Sequence, residues 1–122
     1  ERTAFGKPLI KRENWQQKFV DLYTKYEAGR APTYNAAAAY NQEKYVDKVP
    51  VSMETTKLIS MSKAFVGDVS NEIMDQVVQF HGGMGYLEEH WGARAWRGAR
   101  LLRIGGGATE VMRYTLAKIM GL

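Results

Sequence analysis

Residues 52–85 read SMETTKLISMSKAFVGDVSNEIMDQVVQFHGGMG, and this stretch decides the fold. Leu58, Met61, Phe65, Val69, Ile73, Val77 and Phe80 recur at intervals of three or four residues. Side chains at that spacing stack on one side of an α-helix, so the stretch predicts an amphipathic helix of about eight turns. Gly82 and Gly83, with Gly85 just beyond, stand where helices end. Upstream, Trp15, Phe19, Leu22 and Tyr26, then Thr33, Ala37 and Tyr40, keep the same spacing. Pro32 lies between the two groups and is expected to kink or restart that helix, because proline removes a helical donor and crowds the preceding turn. Asp47-Lys48-Val49-Pro50 reads as the turn between the two long helices.

Downstream, a shorter helix is expected from Glu88 to about Leu102, and Gly105-Gly106-Gly107 breaks the chain. A last helix opens near Ala108-Thr109-Glu110 and continues through Val111, Thr115 and Ile119. No stretch alternates apolar and polar residues for long, so no sheet is expected. The predicted architecture is all-α, a four-helix up-and-down bundle with two long members. No internal repeat or low-complexity segment appears.

Composition narrows the chemistry. The chain has 122 residues, 45% hydrophobic and 25% charged, which fits one folded domain or part of a larger one. No run of about 18 apolar residues is present, so no membrane-spanning helix is expected. With no cysteine, a disulfide scaffold, a thiolate zinc site and a cysteine nucleophile are all excluded. The two histidines, His81 and His90, are too few for a dedicated metal site, so none is assigned. The chain opens Glu1-Arg2-Thr3, without methionine or signal peptide, and reads as though cut from something longer.

Seventeen basic against thirteen acidic residues give a net charge of +4. Most basic residues have an acid close by, but Arg94, Arg97, Arg100 and Arg103 fall at strict three-residue spacing. On a helix they form one slowly drifting stripe. It reads either as a solvated face, paired in part with Glu88 and Glu89, or as a face that meets phosphate or carboxylate on another subunit. Nucleic acid fits poorly, because no aromatic side chains suited to base stacking are interleaved.

The glycine clusters differ in context. Gly82-Gly83-Met84-Gly85 follows a helix, whereas a dinucleotide fingerprint follows a strand and opens a helix. It is therefore not a Rossmann loop, and a C-cap with a tight turn accounts for Gly82 and Gly83. Gly105-Gly106-Gly107 leads into a helix, where free backbone N–H groups favour an anion. Consecutive glycines cost roughly 0.5–1 kcal/mol each relative to alanine, which favours close approach of a ligand as their reason.

Four stretches together resemble the C-terminal domain of the acyl-CoA dehydrogenase family. Arg2-Thr3-Ala4-Phe5-Gly6-Lys7-Pro8-Leu9 is similar to its Arg-x-x-Phe-Gly-x-x-Leu. Gln79-Phe80-His81-Gly82-Gly83-Met84-Gly85-Tyr86 is similar to its Gln-x-x-Gly-Gly-x-Gly-Tyr/Phe. Arg94-Ala95-Trp96-Arg97-Gly98-Ala99-Arg100 resembles Arg-x-x-Arg-Asp-x-Arg/Lys, and Ile104 to Val111 resembles the Ile-x-x-Gly-Thr-x-Glu-Ile that opens the final helix. Order and spacing agree over nearly the whole chain.

The resemblance implies a flavoenzyme that carries an N-terminal helical domain and a small β domain ahead of this bundle. It also implies α,β-dehydrogenation of an acyl-CoA thioester. A base takes the α proton, the β hydrogen leaves as hydride to FAD N5, and the electrons pass to an electron-transfer flavoprotein. The assembly implied is a homo-oligomer, a dimer or tetramer, in the mitochondrial matrix of a eukaryote or the cytoplasm of a bacterium. Carried over by residue, Arg2 reaches the FAD pyrophosphate of a neighbouring subunit. Phe5 packs near the adenosine, and Gln79 and Gly83 approach the adenine end across the dimer. His81 falls on a variable position of its motif and reads as structural.

Departures from the family pattern matter as much. Where one branch places its catalytic glutamate, this chain has Gly106, which takes no proton. In the isovaleryl- and long-chain-like branches that position is small and the glutamate comes from a helix ahead of Arg-x-x-Phe-Gly. No catalytic base is therefore expected within residues 1–122. Glu110 reads as an acid in a first helical turn. Ala108 replaces the motif's threonine, which moves a hydroxyl contact with the cofactor to Thr109 or removes it, and Gly98 replaces an aspartate that would pair with the arginines. The rival readings are a flavin-dependent monooxygenase or nitroalkane oxidase on the same fold, and a basic helical module that binds nucleic acid. An apolar face left exposed, and self-association through it, are further expectations.

Overall fold

The computed structural model describes residues 3–122. Five α-helices are present among them: α1 (Glu13–Asn41), α2 (Met53–His81), the single-turn α3 (Gly83–Tyr86), α4 (Trp91–Leu101) and α5 (Thr109–Ile119). The all-α expectation holds, and α2 is the shared member. It packs against α1 on one side and against α3, α4 and α5 on the other.

The α1–α2 pair is antiparallel: Trp15 at the head of α1 packs on Phe80 at the tail of α2, ring centroids 4.6 Å apart. Buried Leu22, Gly29 and Ala36 on α1 are spaced by seven, as are buried Thr55, Ser62 and Val69 on α2. Two seams of that period lie along each other as in coiled coils. Gly29 sets the closeness: a Cβ there would stand 3.2 Å from Val66 Cγ2 and 3.3 Å from Phe65. Lys25 ties the pair at the surface, 2.6 Å from Glu72 Oε1 and 3.2 Å from Asp21. Its hydrogen bond with Glu72, then that with Asp21, raises the ammonium above its usual pKa.

Two sequence expectations need correction, the absence of strands and the start of α4, and two others take definite form. Residues Thr3–Ala4 and Lys7–Pro8 form a two-stranded antiparallel pair, β1 and β2, where no sheet was expected. Strands of two residues are too short for alternation to show. Pro32 does not restart α1, which runs through it. The missing N–H removes one ladder bond, while Thr33 Oγ1 donates to Gly29 O at 2.7 Å on the same turn and packing on α2 holds both halves. Helical structure persists past Asn41 as a π-helix, Gln42–Asp47, and Lys48 at φ +55° makes the turn. Finally, α4 starts at Trp91 rather than Glu88, because His90 Nδ1 caps it by accepting the Gly92 N–H at 3.0 Å.

The corner before α2 is built on one carboxylate. Glu43 accepts from the Ser52 N–H at 2.8 Å, the Ser52 hydroxyl at 2.6 Å and the Thr55 hydroxyl at 2.8 Å. Ser52 Oγ in turn accepts the Thr55 N–H at 3.1 Å, capping α2. The apolar stripe read from the sequence lies differently from expectation. Val69 is buried, but Met61 and Phe65 stay exposed, and the buried positions of α2 are mostly small: Ser60, Ser62, Ala64 and Gly67. Phe19, Tyr23 and Tyr26 of α1 are exposed as well, and with Ile73, Val77 and Phe80 they line an open apolar groove of about 260 Å³. Among the described residues no helix is long and apolar enough to cross a membrane.

Two predictions follow from these corners. The Ser52 hydroxyl, the Ser52 N–H and the Thr55 hydroxyl hold the Glu43 carboxyl below its ordinary value of 4.5. A depressed carboxyl contributes stability above its unfolded pKa and loses it as pH falls through the folded one. Chemical denaturation of the unaltered chain at a series of pH values below 4.5 should therefore show a steeper loss of stability than in Glu43→Gln. Gly82 sits at φ +60°, ψ −145°, a region held almost only by glycine. Gly82→Ala should lower stability by about 1–3 kcal/mol, read by thermal unfolding. Gly83→Ala, where a Cβ meets nothing within 4 Å, should change it little.

Candidate functional site

The β1–β2 hairpin and the tail of α2 meet at one corner. Phe5 and Gly6, at φ +50° and +73°, form the two-residue turn of the hairpin. Arg12 Nη2 donates to Ala4 O at 2.6 Å and its guanidinium lies 5.6 Å from the Phe5 ring. Phe5 is 96% exposed, so core packing does not explain it. Next to it, Ala4, Leu9, Trp15, Gln79 and Gly82 line a cleft of about 260 Å³. Gln79 is exposed there and makes no side-chain hydrogen bond among the described residues. The structure thus brings Phe5 and Gln79 to one corner, though they are far apart in sequence. Arg2 lies outside the described residues.

Beyond Gln79 the glycines do different work. Gly82 needs its backbone conformation, and Gly85 its missing side chain: a Cβ at 85 would come within 2.7 Å of Val78 O. Gly83 needs neither, since the space around it is open and its φ is not positive. His81 Nδ1 is 2.7 Å from Val77 O, and its ring lies 4.6 Å from that of His90. These contacts give His81 a place in the α2–α4 corner that needs no chemistry.

The second cluster forms the α4–α5 connection. Gly106 and Gly107 adopt φ +66° and +93°, and a Cβ on Gly106 would meet nothing. Thr109 opens α5 fully buried: its N–H bonds Arg103 O at 3.0 Å, and Oγ1 lies toward Gly67 of α2 without a hydrogen-bond partner. Its hydroxyl therefore faces inward, and Thr109 serves here as a packing residue. Glu110 is exposed in the first turn of α5.

The arginine stripe is largely occupied. Arg97 pairs with Glu88 at 2.5 Å, and Arg94 binds the carbonyls of Glu88 and Glu89 at 2.8 and 3.0 Å. Arg103 lies beyond α4 and pairs with Asp68 of α2, Nε to Oδ1 at 2.8 Å, without the alignment of a hydrogen bond. The reading that paired the stripe with Glu88 and Glu89 therefore describes Arg94 and Arg97, and Arg103 takes a third acid. Sequence reasoning missed the α2 residues that hold the connection. Asn71 Nδ2 donates to Ala99 O at 2.7 Å, Asp68 also receives Arg113 at 2.6 Å, and the Lys63 ammonium donates to Gly107 O. Their only sequence signal is polar residues at helical spacing around Gly67.

Comparison with known proteins gives this corner its setting. A family model described as acyl-CoA dehydrogenase, C-terminal domain, matches residues 1–121. Cyclohexane-1-carbonyl-CoA dehydrogenase of Geobacter metallireducens is 37% identical over 97% of this chain and 29% of its own length. The caffeyl-CoA reductase–Etf complex subunit CarC of Acetobacterium woodii is 31% identical over 98% of this chain and 29% of its own. The structure of butyryl-CoA dehydrogenase from Megasphaera elsdenii superposes with a TM-score of 0.83 at 30% identity, over 100% of this chain and 30% of that one. The chain spans under a third of the length of each. With the family model covering almost every residue, the helical fold shared and the motif glycines found at the α2 tail and the α4–α5 turn, the chain belongs to the acyl-CoA dehydrogenase family, matching its C-terminal domain.

Proposed function

We propose that this chain is the C-terminal, FAD-contacting and oligomerising domain of an acyl-CoA dehydrogenase. The observation that carries the reading is Gly83. No described residue would meet a Cβ there, so the Gly83 backbone is open to close approach by a group from outside the chain. Gln79 and Phe5 stand exposed at the same corner, the Gln79 carboxamide without a side-chain hydrogen bond among the described residues and the Phe5 ring with Arg12 near it. These residues fit the adenine end of FAD: a planar aromatic face, a carboxamide that both donates and accepts, and a backbone without a side chain. A cleft of about 260 Å³ holds only an edge of so large a ligand, so the remaining walls come from other domains or a second subunit. That is the basis for proposing a homo-oligomer, with Arg2 reaching the pyrophosphate.

FAD, when bound, supplies the hydride acceptor for oxidation of an acyl-CoA thioester to the 2,3-enoyl-CoA. This chain's part is to bind and orient. Gly106 has no group to take a proton, so the base that removes the α proton is a glutamate of another segment, as in the isovaleryl- and long-chain-like branches. The similarity to an Etf-complex subunit supports an electron-transfer flavoprotein as the electron acceptor. Arg94, Arg97 and Arg103 are tied to local carbonyls, Glu88 and Asp68 rather than presented as one free basic face, which favours the flavoenzyme reading over nucleic-acid binding.

The test is the flavin content of the protein that carries this chain, made in its source organism. FAD should co-purify, and an acyl-CoA should bleach its visible absorption without oxygen. Gly83→Ala should keep the thermal stability yet weaken FAD retention by about tenfold, near 1.4 kcal/mol of binding. A protein that purifies without flavin and takes none up on reconstitution would overturn the assignment.

A further inference from the structure

One flank of α2 is spent on a single segment, the connection between α4 and α5. Gly67 lets the connection approach: a Cβ there would stand 3.1 Å from Leu102 O. Asn71, one turn on, donates to Ala99 O at 2.7 Å. Asp68, one residue from Gly67, holds Arg103 at 2.8 Å and Arg113 at 2.6 Å, one before the glycines and one after. Lys63, one turn before Gly67, is half-buried and donates to Gly107 O. No carboxylate among the described residues lies within ion-pair distance of Lys63, so this carbonyl is its recorded anchor.

The anchor matters because of what it holds. Three consecutive glycines, Gly105, Gly106 and Gly107, give the connection wide backbone freedom, and Gly106 and Gly107 sit at positive φ. Asp68 restrains the two ends of the connection and the Gly105 N–H bonds Leu101 O at 2.7 Å, but among the described residues only the Lys63 side chain bonds within the glycine run. Fixing the Gly107 carbonyl fixes the Gly107–Ala108 peptide plane with its Ala108 N–H, and so limits the φ and ψ of Gly107 through which Gly106 could swing. A charged donor to a carbonyl makes a stronger bond than a neutral one, which suits a tether working against glycine entropy.

We infer that Lys63 is the positioning residue of the Gly105–Gly107 turn, holding the Gly106 backbone at a set place and direction in the proposed active site. The inference rests on that proposed function for its purpose, but its test does not. In the 122-residue chain, Lys63→Met keeps the aliphatic stem and removes the ammonium. Amide exchange at Gly105 and Thr109, whose N–H groups bond Leu101 O and Arg103 O, should speed by about tenfold or more, with α2 amides unchanged. Lys63→Arg should restore protection and the Gly107 carbonyl shift. Unchanged exchange at the turn in Lys63→Met overturns the inference, since the stem alone would then account for the residue. If that variant fails to fold, the unaltered chain decides: a through-hydrogen-bond coupling between Lys63 15Nζ and the Gly107 carbonyl carbon supports the tether, and its absence overturns it. Lack of flavin in the parent protein would leave all of these readouts in place, so the two failures are distinguishable.

Discussion

Everything in this chain depends on α2 being packed on two opposite sides at once. A helix flanked in that way cannot bury large side chains on both sides and still let its neighbours come close. The buried positions of α2 are accordingly Thr55, Ser60, Ser62, Ala64, Gly67 and Val69, with none larger than valine. On the α1 side the same constraint selects Gly29 and Ala36, which bring two 29-residue helices together along a seven-residue seam. On the other side it selects Gly67, which brings a backbone carbonyl against α2. The larger apolar side chains are displaced to the edges, where Phe19, Tyr23, Phe65 and others stay partly in water. Phe19 and Tyr23 line the groove and are already about half covered, so burying each fully would add on the order of 1 kcal/mol, a driving force for covering that groove.

Polar groups then fix what close packing leaves loose. Glu43 organises the entry to α2 with three hydrogen bonds, and His90 caps α4 with a ring nitrogen. Exposed ion pairs such as Arg97–Glu88 contribute at most about 1 kcal/mol each. The Asp68 pairs are more shielded and join three segments of the chain, so they weigh more in fixing geometry than in total stability. The outcome is a rigid platform with two glycine-bearing corners, one at the tail of α2 and one at the head of α5.

Those corners show why a motif has to be read residue by residue. Within the Gln79–Tyr86 stretch, Gly82 and Gly85 are required by the chain's own backbone and packing, whereas Gly83 is not. Thr109 makes the same point: a hydroxyl beside the glycine turn invites a ligand-binding role, yet it is turned into α2 and fully covered.

The amino-acid sequence by itself determined the helices, because three-and-four spacing is a local property that each segment carries alone. It also determined the family resemblance, since glycines and arginines at set intervals survive in the linear order. It did not reveal the hairpin of Thr3–Ala4 with Lys7–Pro8, whose strands are too short to leave a pattern, nor the continuity of α1 through Pro32, which packing on α2 sustains. Which face of α2 is buried was also out of reach, because periodicity marks the apolar side and close approach selects the small one. Only the tertiary structure brought Ala4 of the hairpin and Gln79 into one cleft, turned Thr109 inward and set Lys63 on the Gly107 carbonyl. Each of these joins residues tens of positions apart, and a contact of that kind exists only after the helices that carry it have packed.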